Sequence, residues 1–233
     1  MLGGCRRGGS AALRPTASQG PAVTTDDSAS FLLPGLVHQF GNILLTVQGN
    51  LMHLDGADLE RVQADVLSAA KRGGGSLQVM RCLLNAGSAE PTIAQDLLRQ
   101  VVDLGSVAAR ERGLALVFDA AGADPFWAPA MPFVQLCCAA IQAWVTEIPA
   151  GAEGQIGITA TGGVDTPYEL KFRFDAAPGS LSFPLELAQI CERIQSASRS
   201  IPMHIDVEND GDAALVRIAS ANSCATWKPP AQL

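Results

Sequence analysis

The chain has 233 residues, of which 48% are hydrophobic and 17% are charged, so it can bury a substantial core and is not globally disordered. Its formal net charge of −7 argues against a general nucleic-acid-binding protein, because phosphate backbones attract a surplus of Lys and Arg. No uninterrupted apolar run reaches about 18 residues, so no membrane-spanning helix is expected.

The first stretch, residues 1–27, is predicted to be a disordered leader, because it lacks the apolar middle of a signal peptide. Six cysteines are spread along the chain without a CxxC pair or a zinc-ligand spacing to histidine. We therefore predict no metal site, and reduced thiols as in a cytoplasmic protein. These cysteines are Cys5, Cys82, Cys137, Cys138, Cys191 and Cys224.

Helical periodicity begins after the leader. A first helix is predicted from Phe31 to about Leu54, ending at Asp55-Gly56, and Asp58 is a suitable N-cap for a second helix. The second helix is predicted to be interrupted by Gly73-Gly74-Gly75 and to end at Gly87. An isolated helical hairpin leaves half of its apolar surface bare, so pairing of two copies into a four-helix bundle is expected.

The second half of the chain alternates helices and strands. Helices are predicted over residues 93–112, 133–148 and 185–199, and strands over residues 114–118, 156–161, 169–175, 205–209 and 214–219. Residues 88–92 are predicted to form a linker and residues 124–132 a loop, because both contain proline. This order indicates helices on one face of a mixed sheet.

The predicted fold class is therefore α+β, with a two-helix hairpin that forms a dimeric four-helix bundle and a following α/β sandwich. The hairpin domain is assigned to residues 28–87 and the sandwich domain to residues 92–220. A flexible tail is predicted for residues 221–233.

The first helix resembles the phospho-accepting helix of bacterial sensor histidine kinases, which often reads H-D-F-N-N-L-L-T-V-I-x-G-N-L. The stretch from His38 to Leu51, HQFGNILLTVQGNL, matches most of these positions in register. The second helix of that family often carries A-A-x-R-G, and Ala69 to Gly73 fits. The resemblance implies that His38 is a phospho-acceptor and that the sandwich is related to the family's ATP-binding domain.

The residues that hold ATP in the family are largely replaced. Gln135 aligns with the first position of the asparagine box, but Ala139 and Ala143 stand at its two asparagines and cannot bind Mg²⁺. In the first glycine-rich box, only Asp175 and Gly179 remain, as vestiges. The following lid is missing: Phe183 leads directly into Pro184 and Glu186, which stand where the family has phosphate-binding glycines. No cofactor is therefore predicted.

Gln39 replaces the acidic residue that acts as the base during autophosphorylation in the family, and an amide cannot take that role. The resemblance then implies a dimeric histidine phosphotransferase that exchanges phosphoryl groups between His38 and the aspartate of a response-regulator receiver domain. A hybrid histidine kinase is an implied upstream partner. Nucleic acid and membrane are not expected partners.

Two alternatives stay open. Asn42, one turn after His38, is a candidate for positioning water in a phosphatase that hydrolyses the aspartyl phosphate of a receiver. The chain is otherwise a non-catalytic, pseudokinase-like regulator that binds a receiver or a kinase. His53 and His204 are interpreted as structural, and Arg72 either as part of a receiver-docking surface or as a solvated charge.

Overall fold

The computed structural model describes residues 25–52, 59–87, 90–120, 123–162, 166–179 and 185–219. The helices are α1 (Thr25–Met52), α2 (Leu59–Leu83), α3 (Ala94–Glu111), α4 (Ala130–Glu147) and α5 (Leu187–Ser198). The strands are β1 (Pro91–Ile93), β2 (Leu114–Asp119), β3 (Trp127–Pro129), β4 (Gly154–Thr161), β5 (Tyr168–Ala176), β6 (Ile205–Asp210) and β7 (Ala213–Ile218).

Several predicted features lie outside the described residues. These are most of the leader, the predicted turn and N-cap between α1 and α2, His53, the Phe183-Pro184 step and the C-terminal tail. Cys5 and Cys224 lie outside as well.

Helix α1 is longer than the periodicity predicted. It begins at Thr25 rather than at Phe31, and it continues through Pro34. Packing explains the extension, because Leu32 is fully buried and the Ser28 hydroxyl donates a hydrogen bond to Gln142 Oε1 of α4 at 3.2 Å. Contacts with the sandwich thus stabilise a first turn that the sequence pattern alone did not reveal.

Helix α2 runs without a break through its three glycines, so the predicted interruption is wrong. A Cβ at Gly73 would lie 2.9 Å from the Ile43 side chain of α1. At Gly75 it would lie 2.7 Å from the Gln100 side chain of α3. Glycine at these two positions leaves room for the Ile43 and Gln100 side chains, and the contacts of α2 with α1 and α3 stabilise the helix despite the low helix propensity of glycine.

The main sheet has five strands in the order β2-β4-β5-β7-β6, with β2 parallel to β4 and the other pairs antiparallel. Alternate residues of the central strands are buried, so one face of the sheet is covered by helices and the other faces solvent. The predicted α+β class, with a helical hairpin followed by a mixed sheet and its helices, is confirmed.

A second, two-stranded sheet was not predicted. It pairs β1 with β3 antiparallel, in segments that the sequence assigned to a linker and a loop. The predicted loop over residues 124–132 is wrong in part, because β3 and the first turn of α4 lie within it. Strands of three residues that contain proline are too short to show a period of two, so their pairing depends on tertiary contacts.

The hairpin and the sandwich share one hydrophobic core. Leu32 of α1 and Val79 and Leu83 of α2 belong to the same buried cluster as Phe133 of α4 and Ile156 of β4. From residue 37 onward, no residue of α1 is buried in the single chain. His38 therefore lies where α1 leaves the sandwich.

By length and composition alone, the Asp27–Met52 part of α1 could cross a membrane, although it contains no uninterrupted apolar run of that length. Its first half packs instead against α3 and α4, as the burial of Leu32 and Gly35 shows. Such a helix is weak evidence for a membrane span, because helices of packed proteins meet the same criterion.

Candidate functional site

His38 is exposed on the surface of α1. Between residues 28 and 52 the sequence contains no Asp, Glu, Lys or Arg, so His38 is the one basic side chain of this stretch. An exposed imidazole on a helix is accessible to a protein partner. Its reactivity then depends on the few polar side chains around it.

Asn42 contacts the imidazole of His38 directly. The Asn42 Nδ2 atom lies 3.1 Å from His38 Nε2, across one turn of α1. The same turn-by-turn pattern continues along the helix, because the Thr46 hydroxyl donates to the Asn42 carbonyl at 2.8 Å and Asn50 Nδ2 donates to the Thr46 carbonyl at 3.0 Å. The structure thus joins the two site residues that the sequence predicted.

Gln39 is bound to the second helix of the hairpin. The buried hydroxyl of Ser76 donates to Gln39 Oε1 at 2.5 Å and also lies 3.1 Å from the Arg72 carbonyl of its own helix. The amide at the position after the histidine is thus used to join α1 to α2. The sequence could not reveal this contact, because Ser76 is 37 residues away along the chain.

Basic side chains of α2 are exposed. The Arg72 guanidinium donates to the Ser68 hydroxyl at 2.7 Å, and Lys71 and Arg81 are exposed as well. Arg72 also faces Asp103 of α3. Burial raises the pKa of the Asp103 carboxyl, and the positive charges of Arg99 and Arg72 oppose this effect.

The remnant of the asparagine box is packed into the fold. Gln135 donates a hydrogen bond to Asn85 Oδ1 at 3.1 Å, which joins the first turns of α4 to the end of α2. Ala139 and Ala143 are both buried in the described structure, the latter completely. Their methyl groups fill space in the core and present no oxygen ligand.

The two vestiges of the glycine-rich box lie at the end of β5. Asp175 forms an ion pair with Arg173 on the same strand, with 2.7 Å between its carboxylate and the guanidinium. Gly179 has a φ of 84° in the turn that follows. Glu186 stands at the N-cap of α5, where its carboxylate accepts a hydrogen bond from Gln189 at 3.1 Å. Each of these polar groups has a partner within the chain.

Among the described residues, His204 and the four cysteines lie outside α1. His204 is exposed before β6, and its carbonyl accepts the amide of Ala219 at 3.1 Å. Cys82, Cys137 and Cys138 are buried free thiols, and burial raises the pKa of all three. Within the described ranges, no group of three His, Cys, Asp or Glu side chains could hold a metal ion.

Comparison with protein-family models gives no match, and comparison with curated proteins gives none either. Solved structures do match. A bacterial phosphotransferase aligns at 14% identity and a TM-score of 0.37, over 85% of this chain and 98% of that one. The Acinetobacter baumannii histidine kinase AdeS aligns at 15% identity and a TM-score of 0.38, over 78% of this chain and 95% of that one.

A third solved structure is the histidine kinase domain of the blue-light activated histidine kinase EL346 from Erythrobacter litoralis. It aligns at 13% identity and a TM-score of 0.39, over 83% of this chain and 92% of that one. Two of these three proteins are named as histidine kinases and one as a phosphotransferase. A likeness at this level assigns no activity to the chain.

Proposed function

We propose that this chain is a cytoplasmic histidine phosphotransferase of a two-component phosphorelay. His38 takes a phosphoryl group from the aspartate of one receiver domain and passes it to another, without autophosphorylation from ATP. The observation that carries the proposal is the exposed His38 imidazole, held by Asn42 at 3.1 Å on a helix segment with no other ionisable side chain. An imidazole in this setting is a suitable nucleophile for phosphoryl transfer.

The surroundings of His38 do not support the kinase half-reaction. Gln39 cannot act as a base, and its Oε1 is already occupied by the Ser76 hydroxyl. In the sandwich, Ala139 and Ala143 offer no ligand for Mg²⁺, and Asp175 is paired with Arg173. A phosphoryl group on His38 must then come from a donor that brings its own metal. The resemblance to sensor histidine kinases implies that a receiver domain is such a donor.

The charge on α2 suits such a partner. Lys71, Arg72 and Arg81 are exposed on the helix that contacts Gln39. Receiver domains are expected to bring an acidic, metal-binding pocket to the histidine, and opposite charges favour this encounter. Phosphoryl transfer itself requires mainly positioning and neutralisation of charge, which the receiver and the hairpin would supply together.

The hairpin also supports the predicted homodimer. Val37, Leu44 and Leu51 recur at every seventh residue of α1 and are exposed by 66%, 68% and 61% in the single chain. Leu67 and Leu77 of α2 are about half exposed. Added Cβ atoms at Gly41 and Gly74 would meet no atom within 4 Å, so the protomer itself gives no packing reason for these helix glycines. A second hairpin would bury these stripes in a four-helix bundle.

Transfer of radiolabelled phosphate tests the proposed activity. Receiver domains labelled by a small donor such as acetyl phosphate are mixed with the parent protein, with His38→Ala and with His204→Ala. The parent and His204→Ala are expected to gain an acid-labile, base-stable label, and His38→Ala none. His204 is a matched control, because it is also exposed and lies by β6. Absence of label from the parent across a full receiver panel would contradict the proposal.

The two alternatives give different results in the same assay. A phosphatase would release inorganic phosphate from the receiver in an Asn42-dependent way without labelling the protein. A non-catalytic regulator would bind the receiver and leave its phosphate unchanged. Calorimetry with Mg-ATP tests whether the chain is instead an ATP-dependent kinase, because a kinase would bind the nucleotide.

A further inference from the structure

The imidazole of His38 is contacted at one particular nitrogen. Asn42 Nδ2 lies 3.1 Å from His38 Nε2, whereas the neighbouring Gln39 side chain is bound to Ser76. The ring orientation is therefore set through Nε2. This arrangement differs from one in which a residue next to the histidine would hold the ring through Nδ1.

An amide nitrogen only donates hydrogen bonds, so Nε2 must accept and the neutral ring must carry its proton on Nδ1. Histidine in water prefers the opposite tautomer, with the proton on Nε2. We infer that Asn42 is a positioning residue that holds His38 in the Nδ1–H tautomer, so that the Nε2 lone pair is the nucleophile. This inference rests on the proposed phosphotransfer at the same site.

The transfer step balances with this tautomer. The Nε2 lone pair forms the N–P bond while the P–O bond to the receiver aspartate breaks, and the electrons of that bond return to the carboxylate. The Nδ1 proton then passes to water, which leaves a neutral ring bearing the phosphoryl group on Nε2. In the opposite tautomer, Nε2 holds a proton and has no lone pair in the ring plane to attack with.

Asn42 must release Nε2 before this step, because its N–H and the phosphorus atom use the same lone pair. Once Nε2 is bonded to phosphorus, it no longer accepts a hydrogen bond, and the Asn42 N–H can donate to a phosphoryl oxygen. A donor placed where negative charge accumulates stabilises the transition state. The same side chain thus selects the nucleophilic nitrogen at rest and stabilises the transferred group.

Nitrogen-15 NMR of the full chain, labelled in its histidines, tests the inference without any receiver. At about pH 9 imidazoles are neutral, and the two ring nitrogens report the tautomer directly through their chemical shifts. The parent is expected to show Nδ1–H for His38. Asn42→Ala should increase the Nε2–H form, and Asn42→Asp should make it dominant, because a carboxylate accepts a proton that Nε2 would donate.

Asn50→Ala is the matched control, because Asn50 donates to the Thr46 carbonyl two turns further along α1 and does not contact His38. It should leave the His38 tautomer unchanged. In transfer assays, Asn42→Ala should slow labelling of His38 by at least about tenfold while receiver binding stays within about twofold of the parent.

An Nε2–H tautomer in the parent, or an Nδ1–H tautomer that persists in Asn42→Ala, would overturn the inference. These results are independent of the proposed function. Phosphotransfer with an Nε2–H parent would leave the function standing and remove the role of Asn42. The expected tautomers without any phosphotransfer would support the positioning of the ring and contradict the proposed function.

Discussion

Gly35 of α1 lies against the backbone carbonyl of Leu104 in α3, so closely that a methyl group at residue 35 would overlap the carbonyl oxygen. The obstacle is backbone and cannot rotate away, unlike the end of a side chain. This contact fixes the first half of α1 on the sandwich. It therefore also fixes the point, three residues later, from which His38 projects.

The first prediction concerns this contact. Gly35→Ala should lower the free energy of unfolding by about 1–3 kcal/mol, because α1 and α3 must separate to accommodate the methyl group. Gly49→Ala is the matched control, since a Cβ there meets no atom within 4 Å. It should gain up to about 1 kcal/mol from helix propensity. Urea unfolding of both variants measures the difference, and equal effects would contradict the contact.

The second prediction concerns pH. Cys137 and Cys138 are fully buried on α4, and burial raises the pKa of both thiols. In the unfolded chain a thiol ionises near about pH 8.5, whereas the folded chain keeps its proton. Stability is therefore fully present below that pH and falls as pH rises, by up to about 1.4 kcal/mol per pH unit for each thiol.

Urea unfolding under reducing conditions between about pH 7 and pH 10 measures this slope. The double variant Cys137→Ala, Cys138→Ala should be less stable at pH 7 because of the lost volume, yet should show a shallower decline with pH. Cys191→Ser is the comparison, because Cys191 is only half-buried. A double variant that declines as steeply as the parent would show that these thiols do not cause the decline.

The third prediction concerns the missing ATP chemistry. Ala143→Asn restores the residue that the resemblance expects to hold Mg²⁺, at a position that is completely buried. We expect a loss of about 1–3 kcal/mol, because the buried amide finds no partner, and no gain of nucleotide binding. Ala188→Asn, at an exposed position of α5, should change stability little. Thermal unfolding with and without Mg-ATP measures both, and nucleotide stabilisation of either the parent or Ala143→Asn would contradict the account.

The fourth prediction concerns assembly. Leu44→Glu should convert a dimer into a monomer, because it places a charge at the centre of the apolar stripe of α1, where Leu44 is 68% exposed in the single chain. Val117→Glu, at an exposed aliphatic residue of β2, should leave the dimer intact. Sedimentation velocity at tens of micromolar reports the mass. A monomeric parent would contradict the four-helix bundle.

The sequence predicted the spacing of the site residues along α1 but not the contacts between helices. Periodicity predicted a helix that brings His38 and Asn42 one turn apart, and their side chains lie 3.1 Å apart in the structure, because a spacing of four residues is local geometry. Ser76 could not be predicted as the partner of Gln39, since this bond depends on how α1 and α2 pack.

The three consecutive glycines of α2 also show that the sequence does not specify contacts between helices. Three consecutive glycines indicate a break when only helix propensity is considered. In the structure Gly73 and Gly75 lie against the Ile43 and Gln100 side chains of α1 and α3, contacts that the sequence does not specify. A signal was nevertheless present, because glycines inside an amphipathic helix often mark close approach of another element.

The most direct test of the central claim is a chase experiment on His38. The protein is labelled by a phosphorylated receiver, purified away from it, and mixed with an unphosphorylated receiver. The account predicts an acid-labile label on His38 that moves to the aspartate of the second receiver and is absent from His38→Ala. Release of inorganic phosphate from the first receiver, with no label ever residing on the protein, would contradict it.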